Sequence, residues 1–105
     1  MTVFGTSDDD TIDGADGVTN GADTILGYGG DDIIFGFGGN DWILGGAGED
    51  FIVGGEGWDT ASYMNAGTGV FVDLSVGIGL FGDAQGDILV DIEYLEGSEI
   101  GRAHV

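Results

Sequence analysis

Five carboxylates recur at a fixed interval through the middle of this chain: Asp23, Asp32, Asp41, Asp50 and Asp59 stand nine residues apart. A glycine precedes each by two positions (Gly21, Gly30, Gly39, Gly48, Gly57), and an apolar residue follows each by two (Ile25, Ile34, Ile43, Ile52, Ala61). Glycine, acid and apolar residue in one phase mark a repeating structural unit. Regularly spaced carboxylates can exchange protons as acid–base pairs or ligate hard cations through oxygen. With 20 acidic residues in 105, close carboxylate pairs are inevitable, and ligation or solvation explains them better than catalysis.

The elements that position these acids are constrained by composition. A single Arg and no Lys leave a formal net charge of −19, and Arg102 and His104 are the only basic side chains. Nucleic acid and anionic membrane surfaces are disfavoured as partners, because both require basic footprints. A hydrophobic content of 42% argues against disorder, so a folded chain neutralised by bound cations is expected. The 24 glycines favour tight turns over helices. No apolar run reaches membrane-spanning length, so no membrane insertion is expected. Cysteine is absent, which removes disulfides and thiolate zinc sites. Met1 to Gly5 lacks the basic and apolar regions of a cleavable export signal.

Residues 1–62 are expected to form a repeat unit with an irregular start (1–26) and regular repeats over 27–62: GYGGDDIIF, GFGGNDWIL, GGAGEDFIV and GGEGWDTAS. Asp10 and Asp23 are thirteen residues apart, nine plus a four-residue insertion. Residues 63–105 break the period and form an expected C-terminal flanking segment, with strands over 70–74 and 88–92. Six turn residues followed by three strand residues place successive strands on opposite sides of a flat coil. Two repeats complete one turn, and same-side strands stack about 4.8 Å apart. Ile25, Ile34, Ile43 and Ile52 then point inward as an aliphatic ladder.

Stacking brings Asp23 beside Asp41, Asp32 beside Asp50, and Asp41 beside Asp59. Two bare carboxylates about 4 Å apart repel by roughly 4 kcal/mol at an effective dielectric near 20. The stacking distance is also about twice a calcium–oxygen bond of roughly 2.3–2.6 Å, so one Ca²⁺ between turns bridges both acids. Glycine-rich turns let main-chain carbonyls aim at the same ion. Magnesium demands stricter octahedral geometry, and zinc lacks its usual Cys and His ligands here.

The repeats resemble the nonapeptide G-G-x-G-x-D-x-U-x of RTX (repeats-in-toxin, haemolysin-type) calcium-binding modules; GGAGEDFIV fits every specified position. The resemblance implies an all-β fold, a calcium-stabilised parallel β-roll (a right-handed β-solenoid) with a C-terminal β capping segment. It also implies about three to four Ca²⁺ ions, each held between turns n and n+2. Its ligands would be the carbonyls of positions 2 and 4 and the aspartate of one turn, with the carbonyls of positions 1 and 3 and the aspartate of the next. One set is Tyr28, Gly30 and Asp32 with Gly45, Ala47 and Asp50. A second is Phe37, Gly39 and Asp41 with Gly54, Glu56 and Asp59. A third joins Thr19, Gly21 and Asp23 to Gly36, Gly38 and Asp41. A fourth pairs Thr6, Asp8 and Asp10 with Gly27, Gly29 and Asp32. Val18-Thr19 in place of the glycine pair, Asp8 at position 4, and bulky Tyr28 and Phe37 at position 2 depart from the pattern.

Other motifs carry less. Asp8 to Gly14 lacks the closing Glu of an EF-hand loop and puts Ile12 at a ligand position. Gly77 to Gly82 spells G-x-G-x-x-G, but no helix is expected after it and the neighbourhood is acidic. Asp83, Asp87 and Asp91 are either a further ion site or solvated turns, and His104 is expected to be exposed. The strand flanks predict one apolar outer face of Ile33, Phe35, Phe51 and Val53 and another of Leu26, Trp42 and Leu44. Such patches need cover. The strands of 70–95 are expected to fold back over one, and a neighbouring domain or second copy to meet the other. The expected function is a non-catalytic calcium-binding module of a secreted protein that folds on binding Ca²⁺. An extracellular location reached by type I secretion is implied by the resemblance. The rivals are a substrate-holding fragment of a larger RTX enzyme or toxin (protease, lipase, alginate epimerase) and an adhesive assembly unit.

Overall fold

A computed structural model describes residues 2–14, 17–63, 71–73, 77–80 and 86–96. Eleven short strands occur there: β1 (Thr2–Phe4), β2 (Thr11–Ile12), β3 (Thr24–Leu26), β4 (Ile33–Phe35), β5 (Trp42–Leu44), β6 (Phe51–Val53), β7 (Thr60–Ser62), β8 (Phe71–Asp73), β9 (Ile78–Leu80), β10 (Ile88–Val90) and β11 (Tyr94–Glu96). From β1 to β7 alternate strands go to opposite sheets, and from β3 onward six turn residues reverse the chain between them. One sheet runs β1-β3-β5-β7-β11 and the other β2-β4-β6-β10-β9-β8. From β1 to β7 every pairing is parallel. This is the expected all-β parallel β-roll. No described helix is long and apolar enough to cross a membrane.

The register follows the repeat. Ile33 pairs with Phe51 and Trp42 with Thr60, eighteen residues apart in each case. Across the four-residue insertion the offset becomes 22 in both sheets, Thr2 with Thr24 and Thr11 with Ile33. The extra residues are thus absorbed in a turn without shifting the strand phase, which a one-residue slip would have inverted. The inward ladder is as expected: Ile25, Ile34, Ile43 and Ile52 are buried, joined by Val3, Ile12, Val18, Ala61, Tyr63, Leu89 and Ile92. Each buried isoleucine contributes roughly 1.5–3 kcal/mol.

The described strands of the C-terminal segment extend the two sheets instead of folding back over an outer face. β10 lies parallel beside β6, and β11 parallel beside β7, so both sheets gain one more strand at the end of the stack. β8 and β9 add an antiparallel hairpin beyond β10. Unpaired main-chain groups on two sheet edges are a stronger demand than half-covered flanks, because a row of N–H and C=O groups otherwise lacks partners. The flanks stay partly open: Ile33 and Phe51 are 40% and 37% exposed. Trp42 is half-buried and its indole donates to Glu96 Oε1 at 3.1 Å. The strand expected over 88–92 stops at Val90; β1, β9 and β11 were not anticipated, and the G-x-G-x-x-G run begins at Gly77, the turn residue just before β9. Asp8 to Gly14 is a repeat turn leading into β2, with Ile12 in the core. Asp83, Arg102 and His104 lie outside the described residues.

Candidate metal centre

Each repeat aspartate is the last residue before a strand, which fixes its backbone against the neighbouring turn. Asp10, Asp32 and Asp50 precede β2, β4 and β6, and Asp23, Asp41 and Asp59 precede β3, β5 and β7. Their carboxylates are tied to the preceding turn. Asp32 Oδ1 accepts the Asp10 N–H at 2.9 Å, and Asp50 Oδ1 accepts that of Asp32 at 3.0 Å. Opposite, Asp41 Oδ1 accepts from Asp23 at 2.8 Å and Asp59 Oδ1 from Asp41 at 2.9 Å.

The other oxygen of each interior aspartate is different. Oδ2 of Asp32, Asp41, Asp50 and Asp59 is buried and meets no hydrogen-bond donor. An unmatched buried carboxylate oxygen is costly, on the order of 1–3 kcal/mol and more when charged. The cost appears in the acidities. Burial pushes Asp50 up to about 9, with Asp87 and Asp32 adding repulsion against the amide bond that lowers it. Burial likewise raises Asp41 to about 7, with Asp59 and Asp23 contributing, and Asp32 to about 6, with Asp10, Asp9 and Asp31 contributing. Asp59 is raised too, chiefly by burial and then by Glu93 and Asp91.

Main-chain oxygens close around these atoms. A β-carbon on Gly27 would lie 2.7 Å from Asp32 Oδ2 and 2.8 Å from the Gly45 carbonyl. On Gly36 it would lie 2.5 Å from Asp41 Oδ2 and 2.8 Å from the Gly54 carbonyl. The absence of a side chain therefore keeps open the space between the lone carboxylate oxygen and a carbonyl of the next turn. Gly46 and Gly48 sit against the carbonyls of Tyr28 and Gly30, and Gly55 and Gly57 against those of Phe37 and Gly39. The first two expected ligand sets are brought together in this way, with Ala47 and Glu56 exposed on the same turns. Glu56 also lines an open depression with Asn20, Phe37, Gly38, Gly39 and Gly55. In the third set, a β-carbon on Gly39 would lie 2.5 Å from the Gly21 carbonyl and one on Gly38 3.0 Å from the Asn20 carbonyl. In the fourth, a β-carbon on Gly30 would lie 2.5 Å from the Asp8 carbonyl, one on Gly29 3.6 Å from the Ser7 carbonyl, and one on Gly5 2.8 Å from the Gly27 carbonyl.

The first turn of each ladder departs from the others. Thr19 donates its N–H to Asp23 Oδ2 at 2.9 Å and its hydroxyl to Oδ1 at 3.0 Å. Thr6 serves Asp10 in the same way, its N–H lying 2.6 Å from Oδ2. Threonine at position 2 thus satisfies these acids internally. Sequence reasoning gave these threonines only their carbonyls. It also missed the ladder's continuation, where Asp87 and Glu93 accept the N–H groups of Asp50 and Asp59, each at 2.7 Å. The signal was an acid directly before a β-branched or aromatic triplet, DILV and EYLE, without the nine-residue beat. A second ladder runs along the turn tips: Asp9 Oδ1 accepts from Asp31, Asp31 Oδ1 from Glu49, and Asn40 Oδ1 from Trp58, at 2.7–2.9 Å.

Among the described residues no three acidic or histidine side chains converge as a metal cluster. A cation here relies on carboxylate pairs and carbonyls, an all-oxygen donor set that suits Ca²⁺. The buried Oδ2 atoms beside glycine-bordered carbonyls fit such an ion. The sequence profile of the RTX calcium-binding nonapeptide repeat (4 copies) matches residues 2–18, 18–36 and 35–62. The chain belongs to this family, whose repeats bind calcium. No curated protein and no solved structure matches it.

Proposed function

We propose that this chain is a calcium-dependent folding and stabilising module of a secreted protein, and that it performs no catalysis itself. One observation carries the proposal: four stacked aspartates each bury an oxygen that no group of the protein satisfies. A bound Ca²⁺ would supply the positive charge those oxygens lack. Asp32 and Asp50, with the carbonyls of Tyr28, Gly30, Gly45 and Ala47, would hold one ion. Asp41 and Asp59, with those of Phe37, Gly39, Gly54 and Glu56, would hold another. The turns at Asp23 and Asp10, whose carboxylates already accept from Thr19 and Thr6, would hold weaker sites and bring the total to three to four. Without ions, repulsion among these carboxylates opposes stacking, so binding energy becomes folding energy. A chain with net charge −19 that stays expanded until it meets calcium suits passage outward in an unfolded state and an extracellular destination.

Small-angle scattering tests this proposal. A radius of gyration near 13 Å in millimolar Ca²⁺ and close to 30 Å in chelator is expected for about 100 residues. Equal radii in the two conditions would refute it.

A further inference from the structure

The carboxylate ladder does not end with the repeats. Glu93 Oε1 accepts the Asp59 N–H at 2.7 Å, as Asp59 Oδ1 accepts that of Asp41 at 2.9 Å. Glu93 immediately precedes β11, the register position an aspartate holds before every strand from β2 to β7. Asp91 follows β10 just as Gly54 follows β6, and its carbonyl takes the matching place. A β-carbon on Gly54 would lie 2.7 Å from Asp59 Oδ2 and 2.5 Å from the Asp91 carbonyl. That is the juxtaposition found at Gly27 and Gly36. Asp59 is fully buried and its Oδ2 has no donor.

We propose that a divalent cation, Ca²⁺ by its oxygen donors, binds at the junction between the last repeat and the tail, held by Asp59, Glu93 and the Asp91 carbonyl. The site lies outside the nonapeptide pattern on its tail side. Its turn, Asp91 to Glu93, keeps three residues where a repeat has six, so it brings one carbonyl at the first position and omits the others. Water completes the coordination, and the site is weaker than those between full turns. Asp91 holds a left-handed backbone at φ 56°, a conformation costly for a non-glycine residue and one that Gly54, in the matching position, does not adopt. The opposite ladder closes differently, with the Tyr63 hydroxyl donating to Asp87 Oδ2 at 2.7 Å. The junction ion makes docking of the tail calcium-dependent, and the Trp58–Tyr94 ring pair, with centroids 5.9 Å apart, lies beside it.

The inference rests on calcium binding by the roll, and calorimetric titration of the full chain with Ca²⁺ separates the two. Wild-type protein binding no ions at all would remove the parent proposal. Glu93→Gln keeps an oxygen for the Asp59 N–H but removes the charge. It should bind one ion fewer, or bind the weakest ion on the order of tenfold less tightly, with the remaining sites unchanged. Near-ultraviolet circular dichroism of the Trp58–Tyr94 pair at saturating calcium confirms that the variant is folded. Asp91→Gly keeps the carbonyl and suits the positive φ, so it should retain the full ion count. Wild-type stoichiometry and affinities in Glu93→Gln, or loss of the ion in Asp91→Gly, would overturn the junction site.

Discussion

The main-chain N–H of Asp41 donates to Oδ1 of Asp59, eighteen residues further on, at 2.9 Å, while Asp59 Oδ2 faces no donor. Each interior carboxylate is thus divided, one oxygen fastening the preceding turn and the other left for a cation. The division makes the same residue stabilising with an ion and destabilising without one.

Asp41→Asn tests this division. Asparagine keeps the Oδ1 acceptor for Asp23 but removes the charge that burial, Asp59 and Asp23 disfavour. In chelator the variant should be at least as ordered as wild type. In calcium its folding midpoint should rise about tenfold or more, because two ligand sets share Asp41. Asp23→Asn should shift the midpoint less, since Thr19 already serves that carboxylate. Circular dichroism across calcium concentrations reads both.

Proton concentration should act oppositely in the two states. Without calcium the folded-state acidities of Asp32, Asp41 and Asp50 are raised from 3.8 to about 6, 7 and 9. A group raised on folding binds more protons folded than unfolded, so its stabilising contribution is complete below pH 3.8 and fades as pH climbs through those values. Metal-free protein should therefore become progressively less stable as pH rises from about 6 to 9. Calcium must displace those protons, so its apparent affinity should increase over the same interval. Paired pH titrations in chelator and in calcium check the crossing.

The roll was legible from the sequence because Ile25, Ile34, Ile43 and Ile52 share one phase with the aspartates, and that phase sets both register and burial. The tail was less legible. Asp87 and Glu93 hold ladder positions 37 and 34 residues from Asp50 and Asp59, and no fixed period announces such offsets. The outer-face aromatics suggested a cover, yet the stronger demand came from the strand edges of β6 and β7. Thr19 was legible as a departure from glycine and Thr6 as a carbonyl ligand, but neither as the side-chain partner of Asp23 or Asp10. That role depends on hydroxyl direction, which spacing does not encode.

Position 2 of the turn offers a strain test. Tyr28 and Phe37 adopt φ of 65° and 64°, where the equivalent Gly46 and Gly55 have 82° and 81°. The left-handed region costs a non-glycine residue roughly 1–2 kcal/mol. Phe37→Gly relieves that strain and loses the ring contact with Phe35, so stability should change by less than about 1 kcal/mol. Gly46→Ala should instead cost more than about 2 kcal/mol, because its β-carbon meets the Tyr28 carbonyl as well as the strain. Chemical denaturation at saturating calcium measures the contrast.

The tail's contribution can be isolated at Leu89, which is buried and in register with Ile52. Leu89→Ala should destabilise the calcium-loaded protein by about 2–5 kcal/mol. A change under about 0.5 kcal/mol would mean that β10 is not packed on the roll.

The most direct measurement is far-ultraviolet circular dichroism during a Ca²⁺ titration followed by excess chelator. The stacked aspartates with buried, unmatched Oδ2 atoms predict a disordered spectrum at neutral pH without calcium, a cooperative gain of β signal on addition, and full reversal on chelation. A spectrum indifferent to calcium would contradict the account.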